Sequence, residues 1–243
     1  LANVTGTRLY PISRGCNAGY GSRAPTSDKS VILDLSRMNR ILEYDEKLAY
    51  VVVEPGVSFI QLFQYLRKRD SSLYLSVTGG PGDGSIIGNI ADRGLGSGFY
   101  ADRHENCCAI EVVLPSGDCI ETGYARYPEA RAKNVHRAGV GPALDGLFIQ
   151  SNLGIITKLT LWLMPIPEAF HTFTFSLLRG DQFERTIDAL RSLLLHGLVR
   201  STYLFLWNDY KQLSGKMRYP YLDTKNRTPL PDEIRMGIRS GAD

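Results

Sequence analysis

Hydrophobic and polar residues alternate in short blocks along this chain, with glycine and proline between the blocks. Arg8 to Ser13 alternates well enough for a strand, and Val31-Ile32-Leu33-Asp34-Leu35 supplies another. Ile41 to Tyr44 and Tyr50 to Glu54 predict a strand pair around the polar turn Asp45-Glu46-Lys47. Glu54-Pro55-Gly56 stops the second of these. Ser58 then caps an amphipathic helix with Phe59, Ile60, Leu62, Phe63 and Leu66 on its apolar side. Arg67-Lys68-Arg69 lie near its C-terminus, the end where the helix dipole favours cations. Ile110 to Leu114 and Cys119 to Thr122 predict a hairpin across Pro115-Ser116-Gly117-Asp118. A short helix over Ala143 to Phe148 precedes a long alternating strand, Ile155 to Leu163. Past Pro165 and Pro167, a strand (Phe170 to Leu178), a helix (Asp181 to His196, stopped by Gly197) and a strand (Ser201 to Trp207) form an incomplete β-α-β unit. The pattern predicts an α+β chain divided at the two prolines, into residues 1–168 and 169–243.

One stretch breaks the pattern. Thr78 to Asp102 holds Gly79, Gly80, Gly82, Gly84, Gly88, Gly94, Gly96 and Gly98, a third of the chain's 24 glycines. Its only apolar patch, Ser85 to Ala91, reads as a helical turn with Ser85 at the N-cap. Free backbone N–H groups at a helix start donate to anions. The stretch is therefore either a cofactor cradle or a plain glycine-rich surface loop. A second glycine-rich loop, Arg14 to Gly21, follows directly on the first strand and presents amides as an anion nest would. It is not a P-loop, because GxxxxGK[ST] is missing. Nor is it a Rossmann fingerprint, since Pro25 and a further strand follow in place of a helix.

Composition narrows the classes. With 243 residues at 43% hydrophobic content the chain can bury a sizeable core in one or two domains. A net charge of +3, from 28 basic and 25 acidic residues, argues against nucleic-acid or membrane partners. The nearest basic cluster, Arg126, Arg131, Lys133, His136 and Arg137, is interrupted by Glu129 and reads as a solvated loop. No apolar run reaches the roughly 18 residues that span a bilayer, and the first residues do not form a signal peptide. Cys16, Cys107, Cys108 and Cys119 lack CxxC spacing, and the four histidines lack HxxxH or HExxH spacing, so no metal is expected. His104 with Cys107 and Cys108 reads as a pair of ordinary buried thiols beside a histidine, in a reduced, cytoplasmic setting. The chain opens on Leu1-Ala2-Asn3 without an initiator Met, as a processed or truncated N-terminus would.

Three loops remain to be explained together: ISRGCNAGYG, GDGSIIGNIADRG and QSNLGIITK. With VILDL, VVVEPGVS, IEVVLPSGD and GPALDGLFIQSNLGIITKLTLWLMP, their order resembles the FAD-binding domain of the vanillyl-alcohol oxidase and p-cresol methylhydroxylase flavoproteins. The resemblance covers nearly all of residues 1–168 and continues, more weakly, into the start of that family's substrate-binding cap. It implies a two-subdomain FAD-binding domain. Ser13, Arg14, Gly15, Cys16, Asn17, Ala18, Gly19 and Tyr20 would hold the pyrophosphate. Gly84, Ser85, Gly88, Asn89, Asp92 and Gly94 would wrap diphosphate, ribityl chain and adenosine, and Gly154, Ile155 and Ile156 would close over the cofactor. Family members oxidise para-substituted phenols by hydride transfer to flavin N5, and oxygen or a cytochrome takes the electrons. The protein's part is to position the ring and tune its electronics. A homo-oligomer acting on a small phenolic or alcohol substrate is the implied assembly.

The departures from that family define the alternatives. Its substrate-contacting tyrosines and arginines, and the residue that tethers flavin covalently, fall past residue 243, and its opening strand and helix would precede Leu1. The histidine that tethers FAD in berberine-bridge-type oxidases is matched here by Asn17. The acidic residue that phenol oxidases place near the flavin aligns with Gly80. Asp83, three residues on, either takes over proton handling near N5 or is a turn aspartate. A 2-hydroxy acid or polyol is the second substrate class. A truncated FAD-binding module without turnover is the non-catalytic reading, with exposed Phe173, Phe175, Leu204 and Phe205 driving self-association.

Overall fold

A computed structural model describes residues 2–16, 23–76, 78–171, 175, 177, 182–199, 221–225 and 230–240. The chain falls into two compact units, residues 1–202 and 203–243. Within the described residues of the second lie only two short helices, Tyr221–Thr224 and Asp232–Ser240.

The first unit is organised around a five-stranded antiparallel sheet. Its strands are β3 (Ile41–Asp45), β4 (Tyr50–Val53), β6 (Cys107–Val113), β7 (Cys119–Glu121) and β8 (Ile155–Trp162), in the order β3-β4-β8-β6-β7. β4 reads YVVV without alternation, and all four of its residues are buried. A strand flanked by two neighbours and covered on both faces loses the polar alternation that marks a half-exposed one. The predicted strand pair is the β3–β4 hairpin, closing Tyr50 against Asp45. The second predicted hairpin is β6–β7, but β6 begins at Cys107, three residues before the expected Ile110. A bulge explains the early start: the register with β8 shifts after Cys108, and Ala109 there has φ +52°.

One face of this sheet packs on two helices. In α2 (Phe59–Arg67), Ser58 Oγ accepts from the N–H of Gln61, and Phe59, Leu62 and Leu66 are buried. In α3 (Ile86–Ala91), Ser85 caps the start and Ile86, Ile87 and Ile90 are buried. Val51, Val53, Ile110, Val112, Leu159 and Leu161 meet them from the sheet. The opposite face is covered by the segment after β7. There Thr160 Oγ1 donates to Asn134 Oδ1 at 2.7 Å and Trp162 Nε1 donates to the Asn134 carbonyl at 2.9 Å, so these buried groups are paired.

β1 (Arg8–Ile12) and β2 (Ser30–Asp34) form a separate parallel pair. A small antiparallel pair joins β5 (Leu73–Tyr74) to β9 (Met164–Pro165). The helix expected over Ala143 to Phe148 is instead one 3₁₀ turn, Asp145–Phe148. With Gly146 inside it the segment is too short to repay helix nucleation. α4 (Gln182–Leu195) matches the predicted helix and buries none of its residues. The strands expected over Phe170 to Leu178 and Ser201 to Trp207 fall largely or wholly outside the described residues. No helix among the described residues is long and apolar enough to cross a membrane.

Candidate functional site

The fold brings all three loops to the two ends of α3. Ser13 and Arg14 leave β1 and cross to the central stretch. Arg14 Nε donates to the carbonyl of Asp83 at 2.5 Å, and its Nη1 donates to the carbonyl of Gly56 at 3.2 Å. Ser13 reaches the flank of α3: a Cβ added at Gly88 would lie 2.4 Å from Ser13 Oγ, so glycine leaves room for that hydroxyl against the helix. Gly15 has φ +68°, in the region that favours glycine, beneath the Arg23 side chain. From the other end, the N–H of Gln150 donates to the Ala91 carbonyl at 2.8 Å, and Gln150 Nε2 donates to the Asp92 carbonyl at 3.4 Å. The third loop is thus tied to the C-terminus of α3.

Ser85 fixes the helix start. Its hydroxyl donates to the Pro55 carbonyl at 2.5 Å and accepts from the Gly88 N–H at 2.9 Å. The Ile86 N–H is taken by the Val57 carbonyl. Ser85 is thus the N-cap that the sequence predicts, and the Ile86 and Gly88 amides at the start of α3 are bonded within the fold. Beside it, Ser13 lies against Gly88, and Arg14 and Cys16 lie against Asp83.

Asp83 is exposed, 3.8 Å from the Cys16 thiol through its Oδ2, while its carbonyl is held by Arg14. Asp92 lies at the C-terminal end of α3, and burial pushes its carboxyl above the usual range. Asn17, Ala18, Gly19 and Tyr20 lie outside the described residues. In the third loop, Gly154 is needed for packing: a Cβ there would sit 2.3 Å from Val112 Cγ1. Ile156 belongs to the core cluster, and Ile155 is half-buried. A groove of about 450 Å³ lined by Asn39, Arg40, Gln61, Tyr65, Lys68 and Arg69 includes none of the loop residues. The cradle is defined by its converging loops, not by an enclosed cavity.

Sequence reading missed Arg103. It is fully buried, with Nη1 donating to Asn89 Oδ1 at 2.8 Å and Nη2 to the Ser76 carbonyl at 2.5 Å. Its guanidinium carbon lies 5.0 Å from the Phe59 ring centroid. No sequence signal marks it, since its neighbours in the chain include the exposed Glu105. In the basic cluster Arg126, Arg131 and His136 are exposed, as expected of a solvated loop, while Arg137 pairs with Glu105 and its Nη2 lies 3.3 Å from His104 Nδ1. Cys107 and Cys108 are buried, and burial is the main reason both thiols are pushed up, that of Cys108 to about 12. Neither is a nucleophile in that state.

Glycine-lined backbone and three loops meeting at one short helix fit the diphosphate of a dinucleotide cofactor. Comparison with known proteins agrees. The family model described as "FAD binding domain" matches residues 1–123. The chain is 50% identical over 239 residues to 1'-carboxy-chondrochloren decarboxylase of Chondromyces crocatus, covering 98% of this chain and 44% of that protein. It is 37% identical over 222 residues to the 4-cresol dehydrogenase [hydroxylating] flavoprotein subunit of Pseudomonas putida, covering 91% of this chain and 43% of that protein. A crystal structure of p-cresol methylhydroxylase with substrate bound superposes with a TM-score of 0.88 at 30% identity, over 99% of this chain and 47% of the other. The chain therefore spans about half the length of the relatives it matches.

Proposed function

The chain belongs to the FAD-binding domain family, and on that premise we propose that it carries the cofactor cradle of an oxidoreductase acting on a para-substituted phenol or related alcohol. The observation that supports this most directly is the convergence of Ser13–Cys16, Gly84–Gly94 and Gln150 on α3, in a fold that superposes on p-cresol methylhydroxylase at TM-score 0.88. Bound FAD supplies a hydride acceptor, with oxygen or a cytochrome as the onward electron acceptor. The chain's own residues bind and orient. Ser13 to Cys16 offers backbone to the diphosphate, and Arg14 pins that loop to Asp83 and Gly56 so that its position is fixed before the cofactor arrives. Asp83 stands at the mouth of the same loops, where its carboxylate can take or hold a proton beside the cofactor. In this reading, Pro165 and Pro167 mark where the cofactor domain gives way to the substrate-binding cap.

A second reading has its own support. The relative that is 50% identical is called a decarboxylase, so loss of carbon dioxide from a carboxylated phenolic substrate competes with simple oxidation. The test is anaerobic mixing of the full-length FAD-loaded protein with 4-alkylphenols, a β-carboxylated 4-alkylphenol and D-lactate. Bleaching of the flavin by the alkylphenols supports the phenol reading. Carbon dioxide release from the carboxylated compound alone moves the assignment to the decarboxylase, and bleaching by D-lactate alone moves it to a 2-hydroxy-acid enzyme.

A further inference from the structure

The central stretch contains a side-chain pair whose geometry accounts for two of its glycines. Asn89 projects from α3 and Arg103 from the segment entering β6. A Cβ on Gly94 would lie 1.9 Å from Asn89 Nδ2, and a Cβ on Gly96 would lie 2.2 Å from Arg103 Nη2 and 2.4 Å from Ser76 Oγ. Gly94 and Gly96 therefore leave room for the Asn89–Arg103 pair.

The pair has a direction. A guanidinium only donates, so the group that Asn89 turns toward Arg103 must be its carbonyl oxygen. The amide nitrogen is thereby turned away from Arg103 and toward Gly94, one of the glycines of the central stretch. Arg103 is itself held: Nη2 donates to the Ser76 carbonyl, and the guanidinium lies over Phe59 of α2. A side chain buried completely and fixed at both ends loses little further entropy when a ligand arrives.

We propose that Arg103 is a positioning residue for FAD: it fixes the Asn89 amide with its N–H groups presented to the cofactor, where they donate to an acceptor oxygen or ring nitrogen. The proposal rests on the FAD-binding reading, and FAD retention by the unaltered protein tests that reading separately. It assigns a role to a residue that the glycine-rich motifs do not contain.

The experiment is a double-mutant cycle in the full-length protein, with FAD affinity read by fluorescence quenching and folding read by Tm. Asn89→Asp keeps the shape and the bond from Arg103 but removes the donor. Arg103→Met keeps the bulk but removes what orients the amide. Each change should weaken FAD binding about tenfold, the factor that ~1.4 kcal/mol represents. The double variant should be no weaker than the worse single, because Arg103 acts through Asn89. The visible flavin bands should shift alike in both singles, a readout that loss of packing alone does not produce. Multiplying effects in the double variant would overturn the proposal. So would wild-type affinity in a folded Asn89→Asp protein, and that single variant decides the matter if Arg103→Met does not fold.

Discussion

Gly88 carries the sharpest prediction at the scale of single residues. Ser13 Oγ lies 2.4 Å from where a Cβ on Gly88 would stand, so a side chain there displaces that hydroxyl, and a branched one presses on the first loop beside α3. Gly88→Val should abolish FAD retention in the full-length protein while far-UV circular dichroism stays near wild type. Retention at the wild-type level would remove the loop approach from the account. Sequence reading identified Gly88, Ser85 and Gly15 as special, because glycine and N-cap serine have few other uses in such a stretch. It did not separate their reasons. Gly94 and Gly96 make room for side chains, Gly154 packs against Val112, and among the described site glycines only Gly15 takes a positive φ. Arg103 was illegible because an arginine in a sequence reads as surface, and only the tertiary fold buries it.

Secondary-structure elements were more legible than side chains. β3, β4, β8, α2, α3 and α4 lie within a residue or two of their predicted places, since alternation, caps and prolines are local signals. What failed was long-range or marginal: the bulge at Ala109 depends on pairing with β8, and the turn Asp145–Phe148 lacks the length for an α-helix. That turn carries the pH prediction. Asp145 is buried, which raises its carboxyl above the ordinary 3.8, partly opposed by the hydroxyl donated from Thr122 and by the nearby charges of Arg137 and His104. A raised carboxylate adds stability that is complete below the unfolded value and is lost as pH rises through the folded one. Asp145→Asn should therefore gain on the wild type in urea midpoint as pH climbs from 4 to 7, with the order of stabilities converging at acid pH. A wild type that gains on the variant over that range would show that Asp145 is held as a stabilising anion instead.

At the scale of the whole molecule, the first unit joins a well-packed antiparallel sheet to bare surfaces elsewhere. Val31 and Ile32 of β2 are 53% and 46% exposed, although parallel strands are ordinarily covered on both faces. Phe175, Leu195 and Leu198 are also exposed around α4. Phe173, Leu204 and Phe205, expected to share that surface, lie outside the described residues. These surfaces belong to a chain that spans about half the length of the relatives it matches. The α+β class and the FAD-binding architecture were readable because six segments in order resembled one family, although no single loop was specific. Substrate was not readable, since the FAD domain is shared by enzymes of different chemistry and the fold alone does not choose among them.

The central claim is that the loops gathered on α3 hold FAD, and the most direct measurement is an absorption spectrum of the purified full-length protein before and after acid precipitation. Flavin bands that leave with the supernatant, and that are missing from the Gly88→Val protein, are the predicted result. A protein without flavin bands, even after incubation with excess FAD, would contradict the account.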